Sequence, residues 1–461
     1  MARRTYGTAG LLILNMLAVA ALSASDPSAS RTDAAVADQP RNGDCYRAGA
    51  ALTVEEQRVD DPLPGQSQPA AAQFIDAGGF RSTLDRFERR LCTLTRVEQA
   101  GDVIAAEGAE LWQRAVARAQ GNADIGTIDA YDDRPLYWAR TSMKRALREW
   151  QPQFELTSLQ RQAMIRQFEY ASRGIDLVQF TDSDGAGESG ASDASDPTRV
   201  LVSGFDTYSL DSSLRNSNPS GAAALQLDGR RVQTEQGPAV IEAVMLPVNW
   251  TDFDQGIVED AFGPWLVPSD HPEHAGSVDL IMTISQTGRG RMDIEKWAGA
   301  FRGGSPDNNR AMNYGPISAA PLWPQPQPSP QFIETTLPYQ AMIDAGTEPW
   351  PVQLNAGITE WPQGTYPEPE ALRSAPDPSP GSRAASAPGG NYLSNESMYR
   401  TNRLRLAAGK EELPGGHLHI SALTYPDDPA ELTTPEFEAD RRAIVDQTVD
   451  LVDAAARATG G

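Results

Sequence analysis

From Phe80 the apolar positions Phe80, Leu84, Phe87 and Leu91 recur in steps of three and four, the stripe of an amphipathic helix. The same period predicts helices over 103–119, 136–150 and 157–171. Thr157 stands as the N-cap of the last, where its hydroxyl can accept from a backbone N–H that the helix leaves free. Trp112, Trp138, Trp150 and Phe168 fall in these stretches and read as their shared core. Residues 25–70 are rich in Ala, Asp, Pro and Gln without a period, so an extended polar tail is expected ahead of a helical domain at 71–182.

The segment SDGAGESGASDASDP at 183–197 is small, polar and acidic, which is linker composition. After it the pattern changes to short unbroken apolar runs: VLVSGF from Val200, VIEAVMLPV from Val240 and VDLIMTIS from Val278. Such runs are strands buried on both faces. Candidate helices lie between them, and a last helix opens at Thr434 (N-cap) and Pro435. Its Phe437, Ile444, Val445, Thr448, Leu451 and Val452 share one face. Strands alternating with helices predict an α/β domain over 198–461 with a largely parallel mixed sheet. The Pro-, Gly- and Ser-rich stretch at about 355–390 reads as a loop insertion in it.

Length supports this division, because 461 residues exceed what one hydrophobic core usually organises. The 39 Lys and Arg against 62 Asp and Glu leave a net charge of -23, which repels phosphate backbones and makes nucleic acid a poor partner. A mean hydropathy of -0.44 and the lack of any long apolar run exclude a multi-span membrane protein. At the amino terminus Arg3 and Arg4 precede an apolar run at 11–22 and then Ser23, Ala24 and Ser25, the layout of a signal peptide over 1–24. Export to the periplasm or the medium is the expectation, with no membrane span left after cleavage, an uncleaved anchor being the alternative. In an exported chain Cys45 and Cys92 are most simply one disulfide, two free buried thiols being the alternative.

Candidate chemistry is sparse. No GxSxG elbow, phosphate-binding GxxxxGK[ST] loop or HExxH motif occurs. Four histidines are present: His271, His274, His417 and His419. HPEH reads as a surface turn rather than half of a metal site, and no cofactor is expected. His417 and His419 stand two apart in GHLHIS, so a strand would put both on one face.

Read in order, several segments resemble pyroglutamyl peptidase type I, the pyrrolidone-carboxylate peptidases. LVSGFDTYSL followed by Asn218, Pro219 and Ser220 is similar to the family's opening strand, GF turn and NPS element. ISQTGRGRMDIEKWA resembles the stretch with its substrate-side Gln and catalytic Glu, falling on Gln286 and Glu295. Pro306, Asp307 and Asn308 resemble its P-D-N, and TTLPYQAMIDAG its LP-containing helix. GGNYLSNESMY is similar to the nucleophile segment A-G-x-Y-x-C-N-x-x-x-Y, and GHLHIS to the histidine segment.

The resemblance spans roughly 198–457 and leaves the amino-terminal 197 residues outside it. It implies a three-layer α/β/α domain, and the separate helical domain read from the apolar period precedes it. It also implies cleavage of an N-terminal pyroglutamyl amide, with Phe205 and Tyr208 sandwiching the lactam, Gln286 binding beside them, and His419 and Glu295 activating the nucleophile. The implied partner is a peptide with a blocked N-terminus. At the nucleophile position, however, the family's Cys is Ser394, its Asn five residues after the Glu is Ala300, and the spacing from Glu295 to the P-D-N element is one residue short, so the resemblance does not fix its arginine on Arg302. Two readings therefore stand: a serine-variant peptidase or amidase, and a non-catalytic binding module for blocked peptide ends. Oligomeric state is not legible.

Overall fold

The computed structural model describes residues 45–47, 49–124, 126–180 and 196–460. The expected signal peptide, the tail up to residue 44 and the linker at 183–195 lie outside the described residues.

The helical half comprises α1 (Val54–Gln57), α2 (Ala70–Ala77), α3 (Arg81–Leu91), α4 (Val97–Ala119), α5 (Arg134–Glu149) and α6 (Ser158–Ser172). Thr157 caps α6 as its sequence predicts, accepting from Gln160 N, while the Gln160 side chain accepts from Thr157 N. Phe74, Phe87, Trp112, Trp138, Trp150 and Phe168 are buried together. Gly108 lets α4 approach α6, because a Cβ there would lie 3.0 Å from the Ala171 methyl. A Cys45–Cys92 disulfide fastens the chain entering this half to the end of α3. The described part of the expected tail is packed rather than free. Thr53 and Glu56 form a capping box on α1, Glu55, Glu56 and Arg58 are buried, and Leu63 joins the core. The cause is ion pairing that composition does not display: Glu56 takes Arg148 and Glu55 takes Lys144, both from α5.

The α/β half begins with β1 (Thr198–Phe205), α7 (Pro219–Leu227), β2 (Arg230–Gln233), β3 (Pro238–Leu246), α8 (Trp250–Asp254), α9 (Ile257–Phe262), β4 (Leu280–Gln286) and β5 (Met292–Glu295). It continues with β6 (Trp297–Gly299), β7 (Phe301–Pro306), β8 (Met312–Pro316), β9 (Phe332–Glu334), α10 (Tyr339–Asp344) and β10 (Val352–Asn355). The last elements are β11 (Ile358–Trp361), β12 (Arg373–Ala375), β13 (Arg383–Ser386), α11 (Leu393–Ala407), β14 (Gly415–Ile420) and α12 (Pro435–Thr459). Seven strands form a mixed sheet in the order β10-β5-β14-β4-β1-β3-β2. Its centre, β14-β4-β1-β3, is parallel, and β5 and β2 run antiparallel to their neighbours β14 and β3. Val200, Val202, Met282, Ile284, Leu418 and Ile420 pack with Leu227 of α7, Met342 of α10 and Ile444 of α12. Leu201, Val244, Leu246 and Ile281 pack with Val258 of α9 and Leu393 and Leu404 of α11.

The stretch expected as a loop insertion folds instead as a three-stranded antiparallel sheet, β12-β11-β13. Trp361 is buried there against Phe301 and Tyr366. Its many prolines, at 362, 367, 369, 376, 378, 380 and 388, all lie outside its strands, which is why composition masks strands only three or four residues long.

Candidate active site

Parallel strands place ligand-facing groups beyond their carboxyl ends. Phe205 ends β1, Gln286 ends β4 and His419 is next to last on β14. In the parallel pair of β14 with β4, His417 is level with Thr283 and His419 with Ser285, so all four side chains share the face that carries α11.

His419 Nδ1 lies 2.6 Å from Glu295 Oε1, and both residues are buried. The carboxylate is held in turn by Asn355, whose Nδ2 donates to Oε1 at 3.2 Å, to Oε2 at 3.1 Å and to the Pro388 carbonyl at 3.3 Å. Asn355 is level with Glu295 in the parallel β10–β5 pair. The imidazole rests on bare backbone, since a Cβ at Gly389 would lie 2.8 Å from His419 Cε1 and 3.1 Å from the Glu295 carboxyl carbon.

A small cavity of about 80 Å³ is lined by Phe205, Tyr208, Ser285, Gln286, Tyr392 and Ser394, among others. Ser394 is the second residue of α11, in the turn whose N–H groups have no helical partner. Gln286 Nε2 donates to the Tyr208 hydroxyl at 2.6 Å, while Gln286 Oε1 is buried without a partner. Phe205 stacks on Phe253, and burial raises the Tyr208 phenol above its ordinary pKa. The structure thus gathers Phe205, Tyr208, Gln286 and Ser394 on one cavity and joins His419 to Glu295. No hydrogen bond joins the Ser394 hydroxyl to His419.

The turn between β1 and α7 is held by the helical half. Asp206, buried, receives Arg140 Nη1 at 2.7 Å and Arg173 Nη1 at 2.6 Å. Asp133 accepts from Ser217 Oγ and from Asn218 N, and burial together with the charge of Asp132 raises its pKa to about 6. Asn218 Nδ2 donates to the Asp206 carbonyl at 2.9 Å, and Ser220 Oγ accepts from Phe205 N at 3.1 Å, so the NPS element braces the turn rather than facing a ligand with all three residues. Asn308 of the P-D-N element donates to the Thr207 carbonyl at 2.9 Å.

Arg302 is engaged elsewhere. Its guanidinium grips Glu396 at 2.5 and 2.6 Å and Asp254 at 2.7 Å, and it stacks on Trp250. Sequence reasoning missed Asn355 and Gly389. Asn355 lay at the edge of what looked like a loop, and Gly389 was visible only as part of the GGNY motif. His274 Nδ1 meets the Val267 carbonyl at 2.9 Å and His271 stacks on Trp323, far in sequence from His417 and His419. Among the described residues no cluster of three or more His, Cys, Asp or Glu could hold a metal ion, and no helix is long and apolar enough to cross a membrane.

Comparison with known proteins gives the chain its relatives. A family model described as the PA0049 N-terminal domain matches residues 34–169, and one described as the PA0049 C-terminal domain matches 199–326 and 352–424. A curated relative from Pseudomonas aeruginosa, "Uncharacterized protein PA0049", is 33% identical over 528 aligned residues, covering 92% of this chain and 93% of that one. Among solved structures, pyrrolidone carboxyl peptidase from the hyperthermophile Pyrococcus furiosus aligns at a TM-score of 0.35 with 17% identity, over 57% of this chain and 98% of that one.

Proposed function

The chain belongs to the PA0049 family, a membership that by itself assigns no chemistry, and from its own residues we propose an exported pyroglutamyl-peptidase-like hydrolase. The observation that carries this reading is the buried His419–Glu295 pair, with His419 level on its strand with Ser285, which lines the small cavity on which Ser394 sits in the first turn of a helix. The ordered motifs from GFDTY to GHLHIS support it. Two apolar clusters on opposite faces of the sheet support the three-layer α/β/α order that the motifs imply. The Cys45–Cys92 disulfide supports an oxidising compartment.

In this mechanism the acyl end group enters the cavity between Phe205 and Tyr208. Ser394 Oγ attacks the carbonyl carbon as its proton passes to His419 Nε2, and Glu295 holds Nδ1–H and offsets the imidazolium charge. First-turn N–H groups of α11 receive the developing oxyanion. On collapse His419 returns the proton to the leaving amine, freeing the peptide and leaving an acyl-serine. Water then attacks that ester, gives its proton to His419 and regenerates Ser394. Purified protein should release amine from a pyroglutamyl fluorogenic amide, and Ser394→Ala should not. Turnover unchanged by Ser394→Ala would overturn the assignment.

A second reading, a binding module for blocked peptide ends, draws on one observation and one chemical argument. Ser394 makes no hydrogen bond to His419, and an oxygen nucleophile needs its base during attack far more than a thiolate does. Binding of a pyroglutamyl peptide without turnover by the wild type would favour it.

A further inference from the structure

His417, two residues before His419, has no part in that mechanism, yet it bridges two hydroxyls. Its Nδ1 lies 2.6 Å from Thr283 Oγ1 and its Nε2 2.8 Å from Ser285 Oγ, and Ser285 lines the cavity shared with Ser394. The ring is 1% exposed, and burial with His419 alongside pushes its pKa well below the ordinary value. It is therefore neutral and carries a single N–H. As a general base for Ser285 it is poor, because desolvation opposes the imidazolium and no carboxylate hydrogen-bonds the ring.

That single proton sets the direction of the chain. With it on Nε2, the Thr283 hydroxyl donates to Nδ1, Nε2–H donates to Ser285 Oγ, and the Ser285 hydrogen is left for the cavity. With it on Nδ1 the order reverses, Thr283 has only the Gly416 carbonyl at 3.5 Å for its hydrogen, and Ser285 offers the cavity lone pairs alone. The neighbouring Gln286 Oε1, buried and unpartnered, asks for a ligand N–H, since an unpaired buried acceptor costs about 1–3 kcal/mol. An amide held cis in a small ring presents N–H and C=O side by side, matching an acceptor and a donor contributed by consecutive residues.

We propose that Ser285, set as a donor by His417 and Thr283, is a specificity-determining residue that binds the ring carbonyl of a lactam end group while Gln286 Oε1 takes its N–H. This rests on reading the cavity as the acyl pocket, and it adds a residue chain that the motif resemblance does not assign.

The test is calorimetry on Ser394→Ala protein, which cannot turn over, with L-pyroglutamyl amide and its ring thiolactam as probes. Sulfur is the weaker acceptor, so the parent should prefer the oxo compound. Adding Ser285→Ala should weaken oxo binding roughly five- to twentyfold, the worth of one hydrogen bond, and erase the preference. Ser285→Thr should keep both. In nitrogen-15 histidine spectra, saturating pyroglutamyl amide should hold His417 in the Nε2–H form. Oxo binding and preference unchanged in Ser285→Ala would overturn the inference and leave the pocket reading standing. If Ser285→Ala does not fold, a liganded parent whose His417 remains Nδ1–H overturns it equally. A parent that binds neither probe removes the pocket reading, and the inference with it.

Discussion

Ser394 differs by one atom from the nucleophile its surroundings resemble, which makes it the most informative single position. Ser394→Cys should confer or raise cleavage of a pyroglutamyl amide, because a thiolate beside an imidazolium needs less help from His419 than a hydroxyl does. A variant that neither cleaves nor binds pyroglutamyl peptides would leave the site without that substrate. Asn355 acts through Glu295 without touching the reacting atoms. Asn355→Leu removes donors to both carboxylate oxygens, and a hydrogen bond to a charged group is worth about 1.5–3 kcal/mol. Steady-state kinetics should show kcat reduced roughly tenfold or more with KM little changed, since His419 loses its orientation while the cavity keeps its lining. A fall confined to KM would mean that Asn355 serves binding instead.

At the scale of elements, α11 is held by buried charge as well as by apolar contacts. Glu396 bridges Arg302 and Arg400, and Glu259 of α9 receives Arg400 at 2.9 Å and Arg403 at 3.3 Å. Removing Glu396 leaves Arg302 with Asp254 and Arg400 with Glu259, but the buried cluster is then one carboxylate short, and breaking a buried ion pair costs up to about 3–5 kcal/mol. Glu396→Ala should therefore lower the midpoint of denaturant unfolding markedly and loosen the turn that carries Ser394.

Strand β3 carries a separate pH dependence. Burial and the nearby Asp228 raise the Glu242 carboxyl to about 8, against the weaker opposing influence of the Gln179 N–H and Arg231. A folded-state pKa raised above the unfolded one means that the native state holds the proton more tightly. This contribution to stability is full below the unfolded value and is lost as pH rises through about 8. Glu242→Gln should flatten that decline, giving a higher Tm than wild type at pH 9 and no gain at pH 4. Equal Tm differences at both pH values would contradict it.

Over the whole molecule, the helical half acts as a brace for the cavity. Arg140 and Arg173 reach Asp206, Asp133 reaches Ser217 and Asn218, and Trp112 donates to Asp228 at 2.9 Å. Leu210, Leu225 and Met245 from the α/β half belong to the helical core. The disulfide closes a 47-residue separation within the brace, worth about 4 kcal/mol in the chain-entropy model. Cys92→Ser should lower stability by roughly that amount, and reducing agent should do the same to wild type but not to the variant. A reductant-insensitive wild-type Tm would show that the thiols are not linked in solution.

The hydrophobic periods by themselves determined α3, α6, α12 and the strands β1, β3 and β4, because three-residue and four-residue steps and unbroken apolar runs are local consequences of helix and buried-strand geometry. Ordered motifs likewise pointed to Phe205, Tyr208, Gln286 and Ser394 before any of them was seen on one cavity. Only the tertiary structure decided the rest. The pairing of Glu295 with Asn355 and of Ser285 with His417 depends on which strands become neighbours, over separations of 60 and 132 residues that no local pattern records. The packing of 45–70 onto α5 and the small sheet at 358–386 were likewise hidden, since ion pairs between distant segments and strands of three or four residues leave no period in the sequence.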